Sequence, residues 1–255
     1  METRADPLIR PSLFDDLPGV VAAFSTREGG VSEGPYASLN LGLSTEEDDE
    51  TVWKNRWTFT EALGFTPEQL ALAGQVHGDD ILSVDEPGLF RGYDGLVTDR
   101  RNLLLGITAA DCAAVLLGDP EARVVGACHS GWRGTVARIT PKTVAAMRKL
   151  GADPSNTHAW ISPCISERHF EVGPEVAEQF DDDYVTQPAN GKNPHVNLKA
   201  ALRDQLRDAG LPTVQIEVDP QCTFADTDTF YSHRAEGGTT GRMMGVIGMK
   251  SEGGA

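Results

Sequence analysis

The 255-residue chain lacks long apolar runs, paired cysteines and an excess of basic residues, and each absence excludes a class of protein. No apolar run approaches the roughly 20 residues needed to span a bilayer, and residues 1–19 show no apolar core of a secretory signal. We therefore expect no membrane partner and a cytoplasmic location. The four cysteines form no C-x-x-C pair, which is typical of reduced thiols rather than of a disulfide framework.

The charge balance is acidic, with 38 Asp and Glu against 22 Lys and Arg and a formal net charge of −16. Nucleic acids are bound through clustered basic residues, so we expect no nucleic-acid partner. A small anion can still bind where the site supplies its own arginines. Arg27 in "STREGG" and Arg133 in "GWRGT" lie in glycine-rich loops suited to a phosphate or carboxylate, or equally to tight exposed turns. Arg234 and Arg242 lie in a stretch more typical of a surface loop.

The apolar pattern predicts an α/β protein of one domain, with a mixed β-sheet flanked by helices. Helices are predicted at 51–63, 135–150 and 197–209 from their polarity patterns and end signals. Short, nearly continuous apolar runs predict strands buried on both faces, at 20–24, 70–78, 81–86, 95–99, 102–112, 113–119, 123–130, 158–164, 213–218 and 243–249. The absence of a break in composition favours a single domain over 1–255.

Cys128 and His129 are adjacent in "RVVGACHSGWRGT" and suggest a thiol–imidazole pair. On a strand, however, successive side chains point to opposite faces, so the two cannot share one site. The small apolar residues before Cys128 predict that it is a buried structural thiol. His129 lies where the strand runs out into a loop, and strand ends are where α/β proteins place functional groups.

His77 and Cys112 also follow apolar runs, so neighbouring strands would bring them to His129 at one edge. One thiolate and two imidazoles form a donor set expected of catalytic Zn²⁺ with an open fourth position. The spacings match no short metal motif, and a single His or Cys at a strand end is more often structural. The residues alone leave both interpretations open.

Residues 20–248 carry an ordered series of motifs that resembles the YfiH-type laccase-domain family. The motifs are "STREGGVS", "LNLG", "QVHGD", "DGLVT", "ITAADC", "HSGWRGT", "SPC", "CTF", "FYSHR" and "TGR". Members of that family have been called polyphenol oxidases, purine nucleoside phosphorylases and peptidoglycan editing factors. The sequence departs from the usual family pattern at "ADCAAV", "HSGWRG" and "SPC". These changes would affect the choice of substrate and leave the histidine and cysteine side chains of the motifs in place.

The resemblance implies a catalytic zinc site on His77, Cys112 and His129, and an enzyme that phosphorolyses purine nucleosides, including methylthioadenosine, and deaminates adenosine. Its partners would be a nucleoside and phosphate. We predict substrate contacts from Arg27, Asn40, Asp94 and Arg133. In this hypothesis Arg27 or Arg133 holds the anion, and Asp94 or a metal-bound water is the proton source.

Two further hypotheses belong to other chemical classes. In the first, Cys112 is a nucleophile activated by His129, and His77 or Asp94 orients the activating imidazole. The enzyme would then cleave an amide in a cell-wall precursor. The second is a copper-dependent polyphenol oxidase, which we disfavour because a multicopper centre needs many imidazoles and the chain has only six His. A single Cu²⁺ at the same trio stays open.

Overall fold

The computed structural model describes residues 8–189 and 191–251. In that part the chain forms fourteen strands and five α-helices. The helices are α1 (Asp49–Glu61), α2 (Trp132–Val136), α3 (Ile139–Lys149), α4 (Pro174–Ala177) and α5 (Leu198–Asp208). The strands are β1 (Leu8–Ile9), β2 (Val20–Ser25), β3 (Leu70–Ala73), β4 (Ile81–Ser83), β5 (Gly88–Phe90), β6 (Gly95–Thr98), β7 (Leu104–Ala109), β8 (Ala113–Asp119), β9 (Val124–Ser130), β10 (His158–Ile161), β11 (Val185–Thr186), β12 (His195–Val196), β13 (Ile216–Val218) and β14 (Met243–Met249).

Twelve of these strands form two six-stranded sheets. The first sheet has the order β1-β2-β14-β7-β3-β5, and the second has the order β13-β10-β8-β9-β6-β4. Both are mixed: β3 pairs in parallel with β7 and β5, and β10–β13 and β4–β6 are the parallel pairs of the second sheet. The α/β class with mixed β-structure and flanking helices is confirmed, and the mixed strands form two sheets instead of one. Apolar runs identify strands without saying which sheet each one joins.

The two sheets pack face to face and helices cover their outer faces. Side chains such as Phe24, Ile107 and Leu116 fill the layer between the sheets. Phe59 of α1 packs on the outer face of the first sheet, and residues of α3 and α5, including Met147, pack on the second. Central strands are therefore covered on both sides, which explains their nearly continuous apolar sequences.

The helix ends follow local sequence signals, with one exception. Asp48 accepts a hydrogen bond from the N–H of Thr51 at the start of α1, and Asn197 does the same for Ala200 at α5. The helix predicted at 135–150, with an interruption at Pro141, is two helices, and the break lies at Arg138, whose left-handed φ of 61° separates α2 from α3. Pro141 then falls in the first turn of α3, where its missing N–H costs little. None of the helices in the described ranges is long and apolar enough to cross a membrane.

Candidate metal centre and active site

Three strand ends place His77, Cys112 and His129 together. His77 lies in the turn after β3, Cys112 lies in the turn that leads from β7 of the first sheet to β8 of the second, and His129 is near the end of β9. Their candidate ligand atoms, imidazole nitrogens and the Cys112 Sγ, all lie within 4.8 Å of one another. The structure thus brings together the trio that the sequence suggests, at one end of the sheet sandwich.

Two turns that carry these residues use left-handed backbone at non-glycine positions. Gln75 and His77 have φ values of 47° and 59°, and Asp111 has a φ of 83°. The Gln75 side chain fixes the first turn with a bond from its Nε2 to the Thr108 carbonyl (2.8 Å) and bonds to its Oε1 from the Thr108 N–H (2.9 Å) and hydroxyl (2.8 Å). Sparsely populated backbone of this kind persists where surrounding contacts over-determine it.

The carboxylate of Asp111 fixes the second turn. Its Oδ1 accepts hydrogen bonds from the hydroxyls of Thr223 (2.7 Å) and Ser232 (2.8 Å), and its Oδ2 accepts one from the N–H of Arg234 (2.7 Å). These contacts connect the loop before β14 to the residue that precedes Cys112. The sequence analysis did not identify Gln75 or Asp111, because their partners are distant in the chain and their spacing carries no signal.

Asp94 is buried behind the trio and contacts two of its members. Its Oδ1 lies 2.9 Å from Nδ1 of His129 and accepts the N–H of His77 (3.0 Å), while Oδ2 accepts the N–H groups of Val76 and Gly78, each at 2.8 Å. The Asp94 carbonyl also accepts the His129 N–H at 2.7 Å. With Nδ1 engaged in this way, Nε2 is the His129 nitrogen available to Cys112 or to a metal.

Gly131 provides the space in which Cys112 lies. A Cβ at this position would be 2.7 Å from Cys112 Sγ and 3.8 Å from Cδ2 of His77. The first distance is too short for a non-bonded contact, so a larger residue would displace the thiol. The glycine of "HSGWRG" therefore has a specific packing reason.

The trio is electrostatically coupled. Burial opposes ionisation of Cys112, but the charge of His129 and hydrogen bonds from His129 and His77 lower the pKa of this thiol to about 6. Burial also opposes the charged form of His129, yet Cys112 and the Asp94 carboxylate raise the pKa of this imidazole.

Cys128 differs completely: it is 0% exposed, and burial raises its pKa to about 12. Its side chain packs in the helix-facing layer, whereas neighbouring Ala127 packs between the sheets, as strand alternation predicts.

The donor set fits a transition metal. Two imidazoles and one thiolate are ligands that Zn²⁺ and Cu²⁺ both accept. Asp94 supplies the carboxylate–histidine contact that typically orients a metal-ligating imidazole. His77 is exposed and Cys112 partly exposed, so a metal held here would face the adjoining cavity.

A cavity of about 850 Å³ opens beside the trio and has a basic lining. Two carboxylates, those of Asp49 and Asp111, line it against five guanidinium groups, from Arg56, Arg91, Arg133, Arg234 and Arg242. The apolar lining includes Leu72, Leu89, Trp132, Ile165, Phe170 and Leu198. In a protein of net charge −16, this concentration of arginine favours an anionic ligand with an apolar part.

Of the four predicted substrate contacts, Arg133 lines the cavity, whereas Arg27, Asn40 and Asp94 are not among the lining residues. Arg27 is held away from the lining by bonds to the carbonyls of Ala37 (3.0 Å) and Thr227 (2.6 Å) and to Glu236 (3.1 Å). Asn40 is 0% exposed, and its side-chain amide nitrogen donates hydrogen bonds to the Thr45 hydroxyl and the Glu47 carboxylate. Asp94 is also 0% exposed, and both of its carboxylate oxygens accept hydrogen bonds, so in this structure it positions His129.

Arg234 and Arg242, which the sequence analysis favoured as surface-loop residues, both line the cavity. Arg234 donates to the Glu171 carbonyl (2.9 Å), and Arg242 donates to the carbonyls of Thr240 (2.7 Å) and Gly241 (2.9 Å). Burial lowers the pKa of Arg242. Arg91 and His233 also line the cavity, and the sequence analysis did not identify either of them.

Comparison with known proteins places this architecture in a family. Residues 21–250 match the family model described as multi-copper polyphenol oxidoreductase laccase. The chain belongs to this laccase-like family. The match covers nearly the whole chain and confirms the YfiH-type resemblance that the motifs indicated.

Individual members of the laccase-like family share both sequence and structure with this chain. A purine nucleoside phosphorylase of Deinococcus radiodurans is 43% identical over 249 residues, covering 95% of this chain and 93% of that protein. The purine nucleoside phosphorylase YlmD of Geobacillus stearothermophilus is 36% identical, with 92% of each chain covered. The crystal structure of Bacillus licheniformis YfiH superposes with a TM-score of 0.91 at 32% identity, over 97% of this chain and 98% of that one.

Proposed function

We propose that this protein is a metal-dependent purine nucleoside phosphorylase, which transfers the ribosyl group of a purine nucleoside to inorganic phosphate. The names of the Deinococcus and Geobacillus relatives, which align with more than nine tenths of the chain, support this function. The observation that carries it is the position of His77, Cys112 and His129 at an arginine-rich cavity with an apolar wall. Such a cavity matches a substrate pair of which one is a phosphate anion and the other a nucleoside with a planar aromatic base.

Arg133 is the residue we assign to phosphate. Its guanidinium has no hydrogen bond or ion pair within the described ranges, so its donors are free for an oxyanion. Phosphate oxygen forms the new bond to C1′ while the C1′–N9 bond breaks and its electron pair passes to the purine. We assign proton donation at purine N7 to His233, an exposed imidazole on the cavity lining. Asp94 keeps the role of positioning His129.

His77, Cys112 and His129 would hold the metal, and we propose zinc. Bound zinc supplies a Lewis acid at this end of the cavity. The proposal extends to the deamination of adenosine and the phosphorolysis of methylthioadenosine that the family resemblance implies. Copper is compatible with the same donors, so metal analysis of protein purified without added metal decides between the two ions.

The test is a panel of adenosine, inosine, guanosine and methylthioadenosine with and without phosphate, following release of the free base and deamination. We expect phosphate-dependent base release that a chelator abolishes and zinc restores. A chain that releases no base from any of the four, while it retains zinc, would contradict the proposal. Loss of activity in Cys112→Ala with retention in Cys128→Ala would assign the activity to this site.

A second candidate function rests on the order of Cys112, His129 and Asp94. A thiol with a lowered pKa contacts an imidazole that is oriented by a buried carboxylate, which is the arrangement of a cysteine nucleophile. This hydrolase would cleave an amide in a peptidoglycan precursor. It predicts activity in chelator-treated protein and an acyl-enzyme intermediate visible by mass spectrometry, and the phosphorylase predicts neither. Alkylation of Cys112 would inactivate both enzymes and does not separate them.

The setting we propose is cytoplasmic, with the nucleoside and phosphate as partners and without a nucleic acid or membrane partner. The net charge of −16 supports the exclusion of nucleic acid, because phosphate backbones would be repelled except at the local cluster of arginines. Fractionation of cells that express the tagged chain tests the location.

A further inference from the structure

Trp132 lies between the metal-ligating residues and the apolar wall of the cavity. It begins α2, one residue after Gly131 and three after His129. The indole is half-buried and packs against the cluster that contains Ile165, Phe170 and Leu198, all of which also line the cavity. This part of the lining is an apolar surface beside the trio that includes the planar indole of Trp132. A planar heterocyclic base is the ligand that such a surface binds best, by stacking on the indole.

The guanidinium of Arg133 covers the indole. Its Cζ lies 4.3 Å from the centroid of the Trp132 ring, which is direct stacking distance. Trp132 and Arg133 both line the cavity, so a guanidinium stacked on the indole takes up ring surface at the cavity. A purine and the Arg133 side chain therefore compete for one face of Trp132.

Arg133 differs from other arginines in how it is held. Arg27 makes three hydrogen bonds and Arg242 makes two, so moving either side chain leaves carbonyl acceptors unpaired. Arg133 stacks on Trp132 without a hydrogen bond in the ranges that the structure describes. A stacking contact at an exposed site is weak, whereas a guanidinium–phosphate pair gains two parallel charge-assisted hydrogen bonds. Binding of phosphate can therefore draw the Arg133 guanidinium away from its stacking contact with Trp132.

We propose that Arg133 covers the purine-binding face of Trp132 in the free enzyme and uncovers it when its guanidinium binds phosphate. Phosphate thus opens the base subsite, and the purine ring then stacks where the guanidinium was. This inference rests on the proposed phosphorylase function and specifies its base subsite and its order of binding. Binding of phosphate before the nucleoside is the favoured order, because the base subsite is covered until Arg133 has moved.

The proposal requires positive thermodynamic coupling between the two ligands. If phosphate raises the affinity for a purine by some factor, the purine must raise the affinity for phosphate by the same factor. Typical coupling between sites corresponds to about 5-fold to 150-fold. A static base subsite beside an unrelated phosphate site predicts no coupling, so the size of the factor distinguishes the two arrangements.

The experiment titrates hypoxanthine into the zinc-loaded protein with and without inorganic phosphate. These two compounds cannot react with each other, so binding is measured at equilibrium. We expect phosphate to tighten hypoxanthine binding at least about 5-fold, with the reciprocal effect in the phosphate titration. Stacking on Trp132 should also quench tryptophan fluorescence. Trp132→Phe should abolish the quench, while Trp57→Phe, a matched change at a 49% exposed tryptophan outside the lining, should retain it.

Arg133→Ala tests the covering role itself. Without the guanidinium the indole face is open, so hypoxanthine should bind this variant equally well with and without phosphate. Coupling retained in Arg133→Ala, phosphate-independent binding in the wild type, or a quench that survives Trp132→Phe would each overturn the inference. Inosine turnover by the wild type separates the two levels: turnover without coupling overturns this inference alone, and absence of turnover overturns the proposed function.

Discussion

Nδ1 of His129 lies 2.9 Å from Oδ1 of Asp94, and neither side chain is more than 4% exposed. The same carboxylate accepts the backbone N–H groups of Val76, His77 and Gly78. One buried side chain therefore fixes the ring orientation of His129 and the backbone turn that carries His77. This dual contact makes Asp94 the residue on which the geometry of the trio depends.

Asp94→Asn should weaken metal binding more than it weakens the fold. An amide retains one oxygen for the backbone donors of the 76–78 turn but loses the negative charge that orients the His129 imidazole. Loss of such an outer contact typically costs about 10-fold to 100-fold in metal affinity. Competition with a chromophoric zinc chelator measures the change.

Asp79→Asn is the matched control for this substitution. Asp79 lies two residues after His77, and its carboxylate pairs with the half-exposed Lys142 at the surface. Because an exposed ion pair contributes little, zinc affinity should stay within about 2-fold of the wild type. Equal losses in Asp94→Asn and Asp79→Asn would show that Asp94 has no special role.

Gly131→Ala should displace Cys112. The added methyl group would meet Sγ at 2.7 Å, so either the thiol or the start of α2 must move. We expect lower zinc affinity and lower activity with a thermal midpoint close to that of the wild type. Gly118→Ala, where the nearest atom to the new Cβ would be 3.5 Å away, is the control and should leave zinc binding unchanged. An unchanged metal affinity in Gly131→Ala would refute the packing argument.

The charge state of the metal-free trio should be visible in the pH dependence of alkylation. Because the pKa of Cys112 is lowered to about 6, its reactive thiolate is present above that pH and is lost as the pH falls below it. Iodoacetamide labelling of chelator-treated protein, followed by peptide mapping, should therefore give a midpoint near 6 at Cys112. His129→Gln removes the stabilising charge and should move the midpoint upward.

Cys128 provides an internal control in the same labelling experiment. Its thiol is 0% exposed, and burial raises its pKa to about 12, so it should stay unmodified from pH 5 to 9 in the folded protein. A Cys112 midpoint near that of an ordinary thiol, about 8.5, would mean that His129 and His77 do not stabilise the thiolate.

Sequence patterns predicted the parts of this fold that depend on local chemistry. Burial of central strands on both faces leaves a nearly continuous apolar run, so β7, β8, β9 and β14 were found close to their true bounds. Strand alternation correctly separated Cys128 from His129. The assignment to sheets was out of reach, because the turn at residues 110–112 sends two adjacent runs into different sheets without a distinctive composition.

The predicted site residues also divide into those that local sequence can indicate and those that depend on distant partners. His77 and Cys112 follow strands and His129 lies near the end of one, and strand ends converge, so their meeting could be anticipated. Arg27 and Asn40 were chosen for residue type and loop setting, and neither property reveals that neighbouring carbonyls and carboxylates already occupy their donors. Gln75 and Asp111 were missed because their role is set by partners as distant along the chain as Thr108 and Ser232.

Arg27 and Arg133 should respond in opposite ways to the same substitution. Arg27→Met leaves the Ala37 and Thr227 carbonyls and the Glu236 carboxylate without their donor, which should lower the free energy of unfolding by about 1–3 kcal/mol. The KM for phosphate should stay within about 2-fold, because Arg27 is outside the cavity lining. Arg133→Met should leave stability within about 0.5 kcal/mol and raise the KM for phosphate about 10-fold or more, the effect of losing roughly 1.4 kcal/mol of anion binding. Urea unfolding and phosphate-dependent initial rates with inosine measure the two quantities. A rise in phosphate KM for Arg27→Met, with none for Arg133→Met, would restore Arg27 as the anion-binding residue and remove Arg133 from the site.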